Sequence, residues 1–381
     1  MLPPVRIAIL GAGVMGTATS RLLVRSDDVD LLVIDPDGDR ARDLVKAVGR
    51  GEPVAVGVGD PDLAERLKGA DALAACIPYR WNLGAMGAAL AAGVPYADLG
   101  GLYHTTLRQL ELDDRFRTAG VPAVLGIGCC PGISNLLARA AADRLDEVRS
   151  IHILDGGLEE TDTFAVPYSI DTILDEFTEP AVVFEDGELR EVPAGSGAIR
   201  YRFPDPIGEL EAFYTLHSEP ATLPRTIEGV RDVRWRLALP PKIADGFRAL
   251  VSLGLASEEP VETASGSVVP REVLRVLASR IPPSGEPSSD LEILVVDAEG
   301  SRHGRPARFR GTATFRPTPE DIGGGAFGTS LPIAVAARWL AEGRVPAGVH
   351  PPETAFPADE FLGALEDQGV EVSMIVEDAP A

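Results

Sequence analysis

Gly11-Ala12-Gly13-Val14-Met15-Gly16 constrains this chain more than any other stretch, because of what stands on either side of it. Ahead runs Val5-Arg6-Ile7-Ala8-Ile9-Leu10, short and mostly apolar, as a strand buried on both faces reads. Behind, 17–25 reads as a helix with Ala18, Leu22 and Leu23 facing inward. A second apolar run, 29–34, ends on the acid Asp35. Glycines alone carry little weight. Strand, glycines, helix, strand and terminal acid in this order make a dinucleotide-binding unit.

Each part has a physical task. Gly11 makes the tight turn, Gly13 lets a pyrophosphate approach the backbone, and Gly16 lets helix and strand pack closely. The helix start at Val14 and Met15 offers unpaired N–H groups and a positive dipole end to phosphates. Asp35 is the expected acceptor for the adenosine ribose hydroxyls. It would repel a 2′-phosphate, which predicts NAD over NADP.

The alternation continues. Strands are predicted at 54–58 (running on to Asp60), 70–77, 94–99 and 121–127, with helices at 63–67, 83–92 and 107–119 between them. That pattern predicts an α/β fold, a Rossmann-type doubly wound parallel sheet. Ligands bind beyond the carboxyl ends of such strands. Ile77 and Pro78 are therefore expected against the cofactor near its ribose, and Asp60 near its adenine end. From about residue 148 the texture changes, with strands at 151–154, 181–184, 198–203, 291–296 and 307–315. Glu185-Asp186-Gly187-Glu188 is a hairpin turn signal. Helices are predicted at 169–177, 242–254 and 271–280, and a Pro- and Ser-rich surface loop at 281–290. The predicted layout is an NAD-binding Rossmann domain over 1–135 and 325–381. It is interrupted by an α+β, mainly antiparallel domain over 136–324 for substrate binding and dimerisation.

A net charge of −23 argues against nucleic acid or an anionic membrane surface as partner. Three cysteines suggest neither a disulfide framework nor a metal site. No apolar run approaches a membrane span, and the N-terminus enters the first strand without the features of a signal peptide. A cytoplasmic enzyme with a small-molecule substrate is expected, as a homodimer or larger oligomer.

Five stretches, spread over nearly the whole chain, resemble the saccharopine dehydrogenase family, especially its lysine 6-dehydrogenase-like members. They are Ile77-Pro78-Tyr79-Arg80-Trp81-Asn82-Leu83 with Gly93 to Gly101, Gly126 to Leu137, Asp175 to Ala181, Glu211 to Thr215, and Gly348 to Glu353 with Phe361-Leu362. The resemblance implies hydride transfer between a nicotinamide cofactor and a carbon bearing nitrogen. The first expectation is NAD-dependent oxidation of the terminal amine carbon of L-lysine, or a close basic analogue, to a semialdehyde or cyclic imine. The alternatives are a saccharopine- or carboxynorspermidine-type reductase acting on a secondary amine, or a non-catalytic NAD-binding subunit. The chain departs from many relatives at Cys130, where they carry an acid, and at Leu216-His217, where lysine-acting relatives carry an acid and glycine.

Asp98 ends the fifth strand beside Gly100-Gly101, as an active-site carboxylate would; it would equally cap the following turn. His104 is the general-base candidate by its pKa range, with Tyr103 beside it for substrate contact. Tyr214 and His217 form a second polar cluster with catalytic potential. Arg225 and Arg236 are candidates to clamp a substrate carboxylate. Cys129 and Cys130 are expected to line the nicotinamide pocket, and His152 to be structural.

Overall fold

β1 (Val5–Leu10), α1 (Val14–Leu23) and β2 (Val29–Ile34) form the first crossover unit of the computed structural model, which describes residues 4–158, 166–264, 266–280 and 290–378. α2 (Gly38–Val48) leads to β3 (Glu52–Val54), and α3 (Leu63–Leu67) to β4 (Ala72–Ala75). α4 (Asn82–Ala92), β5 (Tyr96–Asp98), α5 (Leu102–Leu110), α6 (Asp113–Ala119) and β6 (Pro122–Val124) complete the alternation. β3 lies at 52–54 where the sequence predicts 54–58, because its pairing partner β2 ends at Ile34, opposite Val54.

α7 (Ile133–Arg144) is buried along most of its length and leads into a second sheet. That sheet holds β7 (Glu147–Leu158), then α8 (Ile170–Thr178) and the hairpin β8 (Ala181–Glu185) and β9 (Glu188–Val192). The turn predicted at 185–188 is present, with Asp186 and Gly187 both at positive φ. β10 (Ile199–Arg202) and β11 (Glu209–Ala212) pair separately; α9 (Glu219–Thr226) and β12 (Asp232–Ala238) follow. After α10 (Pro241–Ser252) come the small pair β13 (Val261–Thr263) and β14 (Gly266–Val268), then α11 (Pro270–Ala278). The loop predicted at 281–290 lies, except for Asp290, outside the described residues. β15 (Leu291–Arg302) and β16 (Arg305–Phe315) form a long hairpin.

α12 (Gly324–Ala341) then returns to pack on α1, β4 and β5, and β17 (Gly348–His350) joins the first sheet beside β6. α13 (Pro352–Ala355), α14 (Ala358–Glu366) and β18 (Glu371–Asp378) follow. The first sheet has the order β17-β6-β5-β4-β1-β2-β3, all parallel, with its switch point between β1 and β4. The second has the order β18-β16-β15-β7-β12-β8-β9 and is antiparallel except for β7 with β12.

One predicted boundary is corrected. Residues 371–378 pair with β16 in the second sheet and do not belong to the Rossmann unit. Val372, Met374 and Val376 alternate along β18 and pack against the core from there, which covers the outer edge of β16. The two domains also share one core. A continuous apolar cluster runs from Ile7 and Leu31 through Leu136 and Leu137 of α7 to Ile153 and Leu294 of the second sheet. No helix among the described residues is long and apolar enough to cross a membrane.

Candidate active site

Gly11 holds φ +100°, and a Cβ there would fall 2.5 Å from the Cys76 carbonyl oxygen. A Cβ on Gly16 would fall 1.8 Å from the Gly11 carbonyl oxygen, so α1 crosses β1 at backbone contact. At Gly13 a Cβ would meet nothing within 4 Å. Gly13 is the N-cap of α1 and offers no side-chain cap, which leaves the first N–H groups of the helix open to a ligand. Val14 is 73% exposed beside them, and Met15 is half-buried. The Asp35 carboxylate is fixed at the end of β2: Oδ2 accepts from Ala12 N–H and Oδ1 from Asp37 N–H, both at 2.8 Å. Ile77 and Pro78 follow β4 at the switch point. A turn that excludes side chains at Gly11 and Gly16 and stays open at Gly13, below an uncapped helix and beside a fixed carboxylate, fits a dinucleotide pyrophosphate and ribose. Asp60 organises its own turn, with Oδ1 accepting from Asp62 N–H at 2.9 Å ahead of α3.

The second polar centre lies beyond the carboxyl edge of this sheet. His217 precedes α9, whose first turn is set by Pro220. Its Nδ1 is 2.5 Å from Glu219 Oε2, and its ring stacks on Trp235 with centroids 3.8 Å apart. Glu219 is fully buried, and its Oε1 accepts from the Ser134 hydroxyl of α7 at 2.7 Å. Trp235 is held in turn by a 2.9 Å bond from Nε1 to Thr215 Oγ1. Burial pulls the His217 imidazole down. Glu219 at contact, with Glu176 and Asp155 further off, outweighs it, and the pKa stands above the ordinary value.

Two more carboxylates, Asp155 and Glu176, act on His217, and a third, Glu292, joins them through Asp155. Asp155 lies on β7, Glu176 on α8 and Glu292 on β15. Burial pushes Asp155 and Glu176 each up to about 7. Burial and the neighbouring Asp155 push Glu292 well up, and Asp155 and Glu292 are hydrogen-bonded to each other. Glu176 Oε2 accepts from the Tyr168 hydroxyl at 2.5 Å. Cys129 and Cys130, on the loop after β6, put both Sγ atoms within 4.8 Å of an Asp155 carboxylate oxygen. Burial raises both thiols well above their usual range, so at neutral pH they are protonated walls and not nucleophiles.

Of the four catalytic candidates read from the sequence, only His217 enters this cluster. Asp98 is fully buried: Oδ1 accepts from Gly100 N–H (2.9 Å) and Gly126 N–H (2.8 Å), and Oδ2 from Gln109 (2.6 Å) and the Tyr96 hydroxyl (3.0 Å). It ties two strand-end loops to α5. His104 is exposed on α5 and touches Tyr103 edge-on. Tyr103 is buried against Val182, Leu216 and Ala221, a packing contact between domains. Arg225 is exposed on α9. Arg236 donates to the Tyr214 hydroxyl at 2.6 Å and lies 4.2 Å over its ring. Arg236 follows Trp235 on β12, so the Arg236–Tyr214 pair sits on the opposite face of the sheet from His217. His152, bonded to Asp232 at 2.9 Å, is structural as expected.

Asp155, Glu176, Glu219 and Glu292 were not singled out in the sequence. A signal existed for Asp155, which shares a strand face with the buried Ile151 and Ile153. A separate cavity of about 570 Å³ opens between Tyr79, Arg80, α8, α10 and Arg271, and none of the His217 cluster lines it.

The model of the saccharopine dehydrogenase NADP binding domain matches residues 7–124, and that of the saccharopine dehydrogenase C-terminal domain matches 128–370. The chain is 23% identical over 385 residues to carboxyaminopropylagmatine dehydrogenase of Synechocystis sp., covering 96% of each chain. It is 29% identical over 172 residues to carboxynorspermidine synthase of Vibrio cholerae, covering 44% of this chain and 41% of the relative. In structure it is similar to saccharopine dehydrogenase (L-Glu forming) of Saccharomyces cerevisiae, with a TM-score of 0.76, 16% identity, and 97% and 99% of the two chains covered.

Proposed function

The chain belongs to the saccharopine dehydrogenase family, and on that premise we propose which carbon–nitrogen bond it works on. It is an NAD(P)-dependent oxidoreductase of amine substrates. The bond proposed is that of a secondary amine joining an amino-acid chain to a diamine or guanidino amine. The relatives named above support this reading, since carboxyaminopropylagmatine and carboxynorspermidine are compounds of that kind. The terminal amine of L-lysine, expected from the sequence, gives way to it because neither relative is a lysine 6-dehydrogenase.

The observation that carries the chemistry is the buried His217–Glu219 dyad stacked on Trp235. Glu219, anchored by Ser134, holds Nδ1 and leaves Nε2 as the group that exchanges protons. In the oxidative direction neutral Nε2 takes the proton of the secondary ammonium. In the reductive direction the imidazolium gives its proton to the hydroxyl that leaves as water when the imine forms. Trp235 covers one face of the ring and keeps bulk water from it. A bound nicotinamide dinucleotide supplies the hydride acceptor or donor, and Gly11, Gly13, Gly16, the α1 N-terminus and Asp35 would hold it.

NAD is the proposed cofactor, although the family domain is named for NADP. Asp35, Asp37 and Asp39 cluster where a 2′-phosphate would lie, and Arg40 and Arg42 are already paired with Asp37 and Asp39.

The test is turnover of a carboxyalkylated diamine with NAD, NADP, or L-lysine as the comparison substrate, read by reduced-nicotinamide absorbance. Secondary-amine turnover that falls about 10²- to 10⁴-fold in His217→Gln is the expected result. Tight NAD binding with no turnover of any secondary amine would point to a non-catalytic subunit and overturn the proposal.

A further inference from the structure

We infer that Asp155, Glu176 and Glu292 form a subsite for the distal cation of the substrate, an alkylammonium or guanidinium group. The inference rests on the amine-substrate reading above and specifies the substrate end that lies away from the reacting carbon.

Three observations converge. First, the carboxylates come from separate elements and act on one another: Asp155 is hydrogen-bonded to Glu292, and Glu176 feels both Asp155 and His217. Asp155 and Glu292 lie on adjacent antiparallel strands, with Asp155 opposite Leu294 and Glu292 opposite Gly157, so their side chains share a face two positions apart. Glu176 and the His217–Glu219 dyad close the other sides. Second, among the described residues no lysine or arginine pairs with Asp155, Glu176 or Glu292, although arginines elsewhere are paired freely. The His217 imidazole is the one positive group among the described residues acting on them, and Glu219 already holds it, so the acids outnumber the cation; folds keep such an excess where a ligand brings the missing charge. Third, Asp155 Oδ1 is shut off from solvent and has no hydrogen-bond partner. While the carboxylate also bonds Glu292, this remaining oxygen is a position that an N–H donor of a bound cation would fill.

The inference also orders the substrate. With the reacting nitrogen at His217, the carboxylates receive a second nitrogen further along the chain. A monoamine leaves them unpaired. A diamine or guanidino amine brings two or more N–H donors to Asp155 and Glu292 together, which gives the site a way to reject monocations.

The experiment is calorimetric titration of the NAD-loaded, EDTA-treated protein with agmatine, putrescine and butylamine. Agmatine and putrescine should bind, and butylamine should bind at least about tenfold more weakly. Asp155→Asn and Glu292→Gln should each weaken the two larger ligands about 10- to 100-fold while NAD affinity, read in the same samples, stays unchanged. NAD affinity separates a lost subsite from a variant that fails to fold. Equal affinity of wild type and both variants for agmatine and putrescine would overturn the inference. So would binding that EDTA removes and zinc restores, since Cys129, Cys130 and Asp155 would then be serving a metal. Secondary-amine turnover without preference for a dication sinks the subsite and leaves the proposed reaction standing; dication binding without turnover does the reverse.

Discussion

The Tyr79 hydroxyl donates a 2.7 Å hydrogen bond to Asp175 Oδ2, joining the end of β4 to α8 across the domain boundary. Asp175 Oδ1 accepts from Arg271 at 2.6 Å, Arg271 also reaches Asp171, and Arg80 pairs with Asp171 at 2.6 Å. The strand end expected to flank the cofactor is thus fixed to the helix that carries Glu176. On the proposed reading, this network sets the spacing between hydride carrier and acid cluster.

Arg271 is almost fully buried, so removing it strands Asp175. Arg271→Ala should cost about 3–5 kcal/mol, and Tyr79→Phe about 1 kcal/mol. Urea unfolding measures both. A loss under about 1 kcal/mol for Arg271→Ala would mean that the network does not hold the domains.

Asp98→Ala should act on stability and not on chemistry. It orphans the Gly100 and Gly126 N–H groups, each at a cost of roughly 1–3 kcal/mol. The melting temperature should fall, while kcat per folded molecule stays within a few-fold of wild type. His104→Ala should leave both untouched. Collapse of kcat at unchanged melting temperature in either variant would restore that residue to the active site.

The acid cluster gives the free protein a pH dependence of defined sign. Glu176 has a folded pKa raised to about 7. Its neutral form is favoured by folding, so its contribution is fully present below the unfolded value near 4.5 and is lost as pH rises through about 7. Tyr168, Asp155, Asp175 and His217 are the polar and charged groups that act on it. Stability should therefore fall between about pH 4 and pH 7, with Glu176 accounting for at most about 3 kcal/mol. Glu176→Gln keeps an acceptor for Tyr168 and should flatten this slope. An unchanged slope in chemical denaturation across that range would remove Glu176 as its source.

Asp35→Ala should weaken NAD about 10- to 100-fold by removing charged hydrogen bonds to the ribose. NADP should lose less, because a repulsive carboxylate leaves with them. Fluorescence titration with both dinucleotides checks the two affinities. Equal losses would separate Asp35 from cofactor choice.

The Rossmann half was legible because its signals are local. β1, the glycines, α1 and Asp35 lie within one short stretch, and each has a steric or electrostatic reason for its residue type. The site was legible only at His217. Asp155, Glu176, Glu219 and Glu292 come from four elements far apart in the chain, and nothing local separates them from the many acids on the surface. Asp98 stayed ambiguous for a physical reason: the end of a buried strand suits a catalytic carboxylate and a loop-tying one equally. Its four hydrogen bonds favour the loop-tying role.

The placement of β18 bears on how the molecule comes to be made. β16 keeps one edge unpaired until α12, β17 and α14 have been laid down and the chain has crossed back. A ribosome-bound nascent chain therefore carries an open sheet edge from the completion of β16 at Phe315 until β18 emerges at Glu371, during which pairing with another molecule competes with completion. Neither domain is a self-contained module of inheritance either: a recombination event that exchanged one without the returning segment would deliver an unfinished sheet.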